Sequence, residues 1–293
     1  MSSWMLEELS SQPDNWLQAV ETAAEYREAL PQPGERVAIV GCGTSFFMAQ
    51  SAAALREDRG LGETDAFTAS EFPFRRRYDR YVAITRSGET TEVLSLLRQL
   101  PQDSTVALTA RPDLPVGALV KHVVPLPFAD ERSVVQTRFA TSALAMFRAH
   151  FGDSLERAAD DARHAVRDPL PLDPLGYDHF VFLGRGWTVG LAHEAALKTR
   201  EATASWTESY ATMEYRHGPI AAARSKSLVW ILGGDSNGLG DQVEATGATF
   251  RERRLDPMAE LVLVQRMALR RAEGLGLDPD RPRHLSRAVV LPA

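Results

Sequence analysis

The residues best placed to do chemistry fall into two sets. In the first, Cys42-Gly43-Thr44-Ser45 follows the apolar run 37–40, and Arg86-Ser87-Gly88-Glu89-Thr90-Thr91 follows the run 81–85. A loop of small residues between a strand and a helix turns backbone N–H groups toward one point and can hold a phosphate. Ser45, Thr85, Ser87 and Thr90 are therefore candidate phosphate ligands. One such loop is ordinary turn chemistry, but two on neighbouring strands point to a ligand, because open α/β sheets bind beyond the carboxyl ends of their strands. The second set is Glu194, Lys198 and Glu201. At roughly 100° per residue they lie within about 60° of one another on one helix face. By spacing alone they also read as a solvated surface ion pair. His217 precedes Gly218-Pro219 in an expected loop, where a functional role is favoured over a structural one.

Positioning these residues takes alternating strands and helices. Apolar residues at Trp4, Leu6, Leu9, Trp16, Val20 and Ala23, with Pro13 interrupting, predict two short helices before the first strand. Strands are expected at 37–40, 81–85 and 105–108, with helices at 46–55 and 92–100. Alternation of this kind predicts an α/β protein with parallel sheets and helices on both faces. Pro169, Pro171, Pro174 and Gly176 mark a boundary. A second unit then repeats the layout of the first: strand 179–183, loop Gly184-Arg185-Gly186, helix 189–203, strand 228–232 and a final helix over 257–273. The expected organisation is an N-terminal helical segment (1–33), a first subdomain (34–167) and a second with a C-terminal tail (168–293).

Composition narrows the function classes. The 293 residues are 44% hydrophobic, enough for one large domain or two of about 130 residues each. A formal net charge of -6 gives no footprint for nucleic acid or an anionic membrane, so an anionic ligand must be held locally. The single cysteine excludes an intramolecular disulfide framework and fits a reducing compartment. No secretory leader and no run of roughly 20 apolar residues is seen, so a cytoplasmic location is expected. The seven histidines are dispersed and predict no metal site, and no cofactor is expected.

Taken in order, Cys42-Gly43-Thr44-Ser45, Ala69-Ser70-Glu71-Phe72, Ser87-Gly88-Glu89-Thr90, the Glu194 to Glu201 helix with Glu208, Tyr210 and Glu214, His217-Gly218-Pro219 and the tail 280–285 resemble the motifs of SIS (sugar isomerase) domains. The resemblance is to the isomerase half of glutamine-fructose-6-phosphate amidotransferase and covers nearly the whole chain. It implies two SIS subdomains, each a three-layer sandwich, and a sugar 6-phosphate ligand. Thr44 and Arg86 join the phosphate-binding candidates through it, Arg86 standing where the family has glutamine. It further implies Glu201 as the base that moves a proton between carbon 1 and carbon 2, Lys198 as its charged neighbour, and His217 as the ring-opening group supplied by the other subunit of a homodimer. The segment 131–138 takes the place of the family's sugar-contacting loop, which makes Val134 and Gln136 candidate sugar contacts.

Two departures bear on the activity. The chain starts almost directly at the SIS region, so glutamine-dependent amidotransfer is not expected. Arg287 stands where the synthase has a Schiff-base lysine, and a guanidinium that stays protonated cannot take that role. The expected activity is thus a phosphosugar isomerase or aminosugar-phosphate deaminase acting through an enediol on glucosamine 6-phosphate or fructose 6-phosphate. A ketosamine 6-phosphate deglycase and a non-catalytic phosphosugar sensor are the alternatives.

Overall fold

The computed structural model describes residues 3–291 and holds two parallel sheets. Helices α1 (Trp4–Ser10) and α2 (Gln12–Glu25) come first. The break between them falls at Ser11; Pro13 sits inside the first turn of α2, where its missing N–H costs nothing. The first sheet comprises β1 (Val37–Gly41), β2 (Thr64–Thr68), β3 (Arg80–Ile84), β4 (Thr105–Thr109) and β5 (His122–Pro125) in the order β2-β1-β3-β4-β5. Helix α3 (Thr44–Asp58) follows β1 and α4 (Thr91–Leu97) follows β3, while α5 (Arg138–His150) and α6 (Glu156–Arg167) lead to the second half. There β6 (His179–Gly184), α7 (Thr188–Thr203), β7 (Trp206–Ala211), β8 (Ser227–Ile231), α8 (Leu239–Glu244), β9 (Thr249–Arg251) and α9 (Pro257–Gly274) form the sheet β7-β6-β8-β9.

The central strands are buried from end to end, and alternate residues feed different cores. Val37, Ile39, Val82 and Ile84 of the first sheet share one continuous core with Phe180, Phe182, Leu228 and Trp230 of the second, closed by α2, α3, α5, α7 and α9. Ala38, Val40, Tyr81 and Ala83 face a separate core under α4, and Val181, Leu183, Val229 and Ile231 face a third under α8. Each sheet is thus a middle layer, and the two subdomains meet through the shared core.

Helix α3, which begins with Thr44 and Ser45, and helix α7, which carries Glu194, Lys198 and Glu201, pack directly on each other. Gly190 permits this approach. A Cβ there would lie 2.4 Å from the Phe47 carbonyl oxygen and 2.3 Å from Ser51 Oγ. The carbonyl belongs to the helix backbone and cannot retreat, so Gly190→Val is expected to cost about 3 kcal/mol, the upper range for overpacking. A thermal melt showing an unchanged Tm would contradict the tight contact.

Candidate active site

In the order β2-β1-β3-β4-β5 the connections reverse direction between β1 and β3, and a parallel sheet opens a crevice at such a switch point. The two hydroxyl-rich loops leave the sheet at this point. Gly41 makes the first turn possible, since a Cβ on it would lie 2.7 Å from atoms of Ser45. Gly88 (φ +67°) makes the second, in a left-handed conformation and against the Arg111 carbonyl.

Between the loops lies a small cavity of about 40 Å³ lined by Cys42, Ser45, Thr85, Arg86, Ser87, Thr90, Gln136 and Arg287, among others. That is several times the minimum for one water molecule. Three polar atoms among these side chains, Thr85 Oγ1, Arg86 Nε and Gln136 Oε1, are buried with no hydrogen-bond partner. Ser87 Oγ and Thr90 Oγ1 lie 3.3 Å apart. The Arg86 guanidinium donates to the carbonyls of Ser133 (3.3 Å) and Arg287. Burial lowers its pKa, and Arg287 adds to this, against the opposing charges of Glu131, Asp130 and Glu8. The Cys42 thiol is pushed up by burial and by Glu92, so it stays a thiol.

Helix α7 carries the second set of candidates, with Glu194 beside Thr44. Glu194 and Lys198 are each only 1% exposed, so the solvated-pair reading of their spacing does not hold. Lys198 Nζ lies 3.7 Å from Glu194 and in direct contact with Glu201. Burial and the nearby carboxylate of Glu201 push the Glu194 carboxyl up to about 8, with Lys198 and the Thr44 side chain opposing. Neither Glu194 oxygen meets a donor in hydrogen-bonding geometry. For Lys198, burial works against the ammonium, but Glu194 and Glu201 outweigh it and its pKa is raised. Near neutral pH Glu194 is therefore largely protonated and Lys198 is an ammonium in contact with Glu201.

Glu201 lines a groove of about 680 Å³. Its far wall is the tail after α9, including Asp278, Arg281, Arg283 and Leu285. The tail is tied down along its course. The Asp280 carboxylate accepts from the N–H groups of Trp4 and Met5 (both 2.8 Å), the Asp280 carbonyl from Val134 N–H (3.3 Å), and the Val289 carbonyl from Thr91 N–H (3.1 Å). Arg287 is ion-paired with Asp130 and lines the small cavity.

The structure thus brings Ser45, Thr85, Arg86, Ser87, Thr90, Gln136 and Arg287 around one cavity, with Thr44 against Glu194 and the pair Lys198 and Glu201 beyond it. It leaves two candidates apart. Val134 lines neither cavity and is held by the tail. His217 is exposed between two short turns and lines neither cavity of its own chain. Two carboxylates stand out only in the structure. Glu131 is 1% exposed and accepts from Thr137 N–H, Thr137 Oγ1 and Arg138 N–H at the start of α5. Glu8 accepts from the N–H groups of Arg132 and Ser133. The signal for Glu131 is an acidic residue shortly before a helix start; Glu8 carries none.

No family model matches the chain. Glutamine--fructose-6-phosphate aminotransferase [isomerizing] of Methanothermobacter thermautotrophicus is 28% identical over 342 residues, 98% of this chain and 57% of that protein. The Thermotoga maritima protein of the same description is 25% identical over 334 residues, 91% of this chain and 54% of that protein. The chain therefore spans about half the length of the curated relatives it matches. Among solved structures, glucosamine-6-phosphate deaminase from Thermotoga maritima superposes with a TM-score of 0.82 at 27% identity, covering 99% of this chain and 100% of that one. Tagatose-6-phosphate ketose/aldose isomerase from Escherichia coli has the same fold, with a TM-score of 0.77 at 18% identity and coverage of 99% and 96%. No helix among the described residues is long and apolar enough to cross a membrane.

Proposed function

This chain being an SIS-domain protein with the two-subdomain α/β fold, we propose that it binds a sugar 6-phosphate and interconverts its aldose and ketose forms or releases its amine. The observation that carries the reading is the small cavity at the β1/β3 switch point, where Thr85 Oγ1, Arg86 Nε and Gln136 Oε1 have no partner within the protein. A phosphate with its hydration would satisfy two hydroxyl- or guanidinium-type donors and the amide oxygen together. The named relatives and neighbours act on sugar 6-phosphates, and this supports the same ligand class here.

With the phosphate in the small cavity, the sugar runs past α7 and its carbon 1 end reaches Glu201. The Glu201 carboxylate takes a proton from one carbon and returns it to the next, through an enediol. Lys198 lies beside it as the cation that steadies the developing oxyanion, and protonated Glu194 keeps the buried group from carrying excess negative charge. His217 completes the site from a second copy of the chain, because on its own chain it lines neither cavity. Arg287 serves the phosphate end and forms no imine.

Calorimetry with glucosamine and glucosamine 6-phosphate tests the ligand class. The phosphorylated sugar is expected to bind at least about 100-fold more tightly, since charge-assisted bonds to a buried anion are the strong ones. Equal affinity for the two would remove the phosphate from the small cavity.

A further inference from the structure

Gln136 and Arg86 reach the small cavity from segments that are neither helix nor strand. Irregular backbone holds a ligand-binding side chain in place only where contacts from elsewhere fix it. For the loop 131–137 those contacts come from two buried carboxylates. Glu131 closes the loop on itself, through Thr137 and Arg138. Glu8 grips it from α1, its carboxylate accepting from the N–H groups of Arg132 and Ser133, the second at 3.3 Å. Two successive N–H groups aimed at one carboxylate make charge-assisted bonds that fix the direction of the backbone between them.

Packing alone does not call for a carboxylate at this point of α1. Glu8 is 1% exposed, and among the described residues its carboxylate meets no donor outside the loop. On the same helix Met5 and Leu9 share a small core with Val135 of the loop and Leu269 of α9. An apolar side chain in place of Glu8 would extend that core, whereas the carboxyl is desolvated there and its pKa is pushed up to about 7. What the carboxylate adds is geometry. With Val135 packed on α1 and the two N–H groups turned to Glu8, the next residue, Gln136, lines the cavity, and the Ser133 carbonyl accepts from the Arg86 guanidinium (3.3 Å). Helix α1 is itself anchored, since the Asp280 carboxylate accepts from the N–H groups of Trp4 and Met5 (both 2.8 Å).

We infer that Glu8 is a positioning residue of the site: through the backbone of Arg132 and Ser133 it sets Gln136 and Arg86 toward the phosphate. This rests on the sugar 6-phosphate reading of the small cavity. Glu8 lines neither cavity, so its whole effect on the ligand passes through the loop. The atoms it places are Gln136 Oε1 and Arg86 Nε, both buried without a partner.

Calorimetry with fructose 6-phosphate and glucosamine 6-phosphate, at a temperature well below the Tm of every variant, tests this. Glu8→Met fills the same space without an acceptor, and affinity is expected to fall about tenfold, the scale of one lost charge-assisted contact. Glu8→Gln keeps an acceptor at the same reach, and affinity is expected to stay within about threefold of wild type. Gln136→Ala is expected to lose about fivefold and Glu8→Met/Gln136→Ala about tenfold, where independent effects would multiply to about 50-fold. Should Glu8→Met fail to fold, Glu8→Asp, whose carboxylate falls one methylene short of the loop, takes its place with the same expectation. A residue that serves stability alone would lower Tm and leave affinity as in wild type. That result, or effects that multiply in the double variant, overturns this inference alone. If neither sugar phosphate binds wild type, the reading of the small cavity falls and takes this inference with it.

Discussion

Raising the pH from 6 to 9 is expected to lower the stability of this protein by several kcal/mol, the reverse of ordinary acid denaturation. Three buried carboxyls set the direction. Glu194 and Glu260 are pushed up to about 8 and Glu8 to about 7, in each case chiefly by burial. In Glu260 the Trp230 indole N–H (3.3 Å) and Arg253 oppose the shift without cancelling it, and its second oxygen has no partner. In Glu8 the Glu131 charge adds to burial. Between the ordinary carboxylate range and these raised values the folded state holds protons that the unfolded chain has lost. Stability therefore falls as pH rises through that window and levels off above about 8. Each pKa unit is worth about 1.4 kcal/mol, and Tm is expected to drop by roughly 10 °C across the range. Glu260 lies away from both cavities, so Glu260→Gln separates the effect from the site. The variant should gain most stability over wild type at pH 9, less at pH 6, and differ little below about pH 4.5, where the carboxyl is protonated in both states. A Tm that is flat or rising from pH 6 to 9 would contradict these assignments.

The same burial explains what the sequence could and could not reveal. The central strands β1, β3, β4, β6 and β8 read directly as compact apolar runs because both their faces are covered. The strands that escaped notice, β2, β5, β7 and β9, are the four sheet edges. Thr64–Thr68, His122–Pro125, Trp206–Ala211 and Thr249–Arg251 are only partly buried, so polar residues interrupt their apolar pattern. Helix faces were legible for a related reason. The spacing of Glu194, Lys198 and Glu201 fixes their common face, but spacing is silent on whether that face meets water or the back of α3. Only the close approach at Gly190 settles that.

At the site, loop chemistry was legible and long-range closure was not. Ser45, Thr85, Ser87 and Thr90 follow from strand-then-loop pattern, since the backbone geometry of such a turn is local. The tail that walls both cavities meets residues more than 100 positions away, at Trp4, Val134 and Thr91; the resemblance marked 280–285 and Arg287, but no local pattern shows where the tail folds back. Val134 illustrates the cost of reading by position alone: its N–H serves the tail, while its neighbour Gln136 lines the cavity. The groove beside Glu201 had no sequence signal, because Arg200 on α7 and Arg281 on the tail become neighbours only when the tail folds back.

A sugar-phosphate binder and a sugar-phosphate enzyme could share every contact in the small cavity, but only the enzyme moves a carbon-bound proton. Glu201 separates the two. Its carboxylate lies against Lys198 on one side and the groove on the other, so Glu201→Gln preserves size and one hydrogen bond to the ammonium while removing the base. Turnover of the sugar phosphate is expected to fall by about 100-fold or more, the scale for a lost general base, with a change in affinity of less than about tenfold. The direct measurement is NMR of the proton on carbon 1 or carbon 2 in deuterated water, with glucosamine 6-phosphate and fructose 6-phosphate each added to wild type and to Glu201→Gln. Loss of the proton signal with wild type and its persistence with the variant is the expected result; exchange at equal rates in both, or no exchange with wild type and either sugar, would contradict the account.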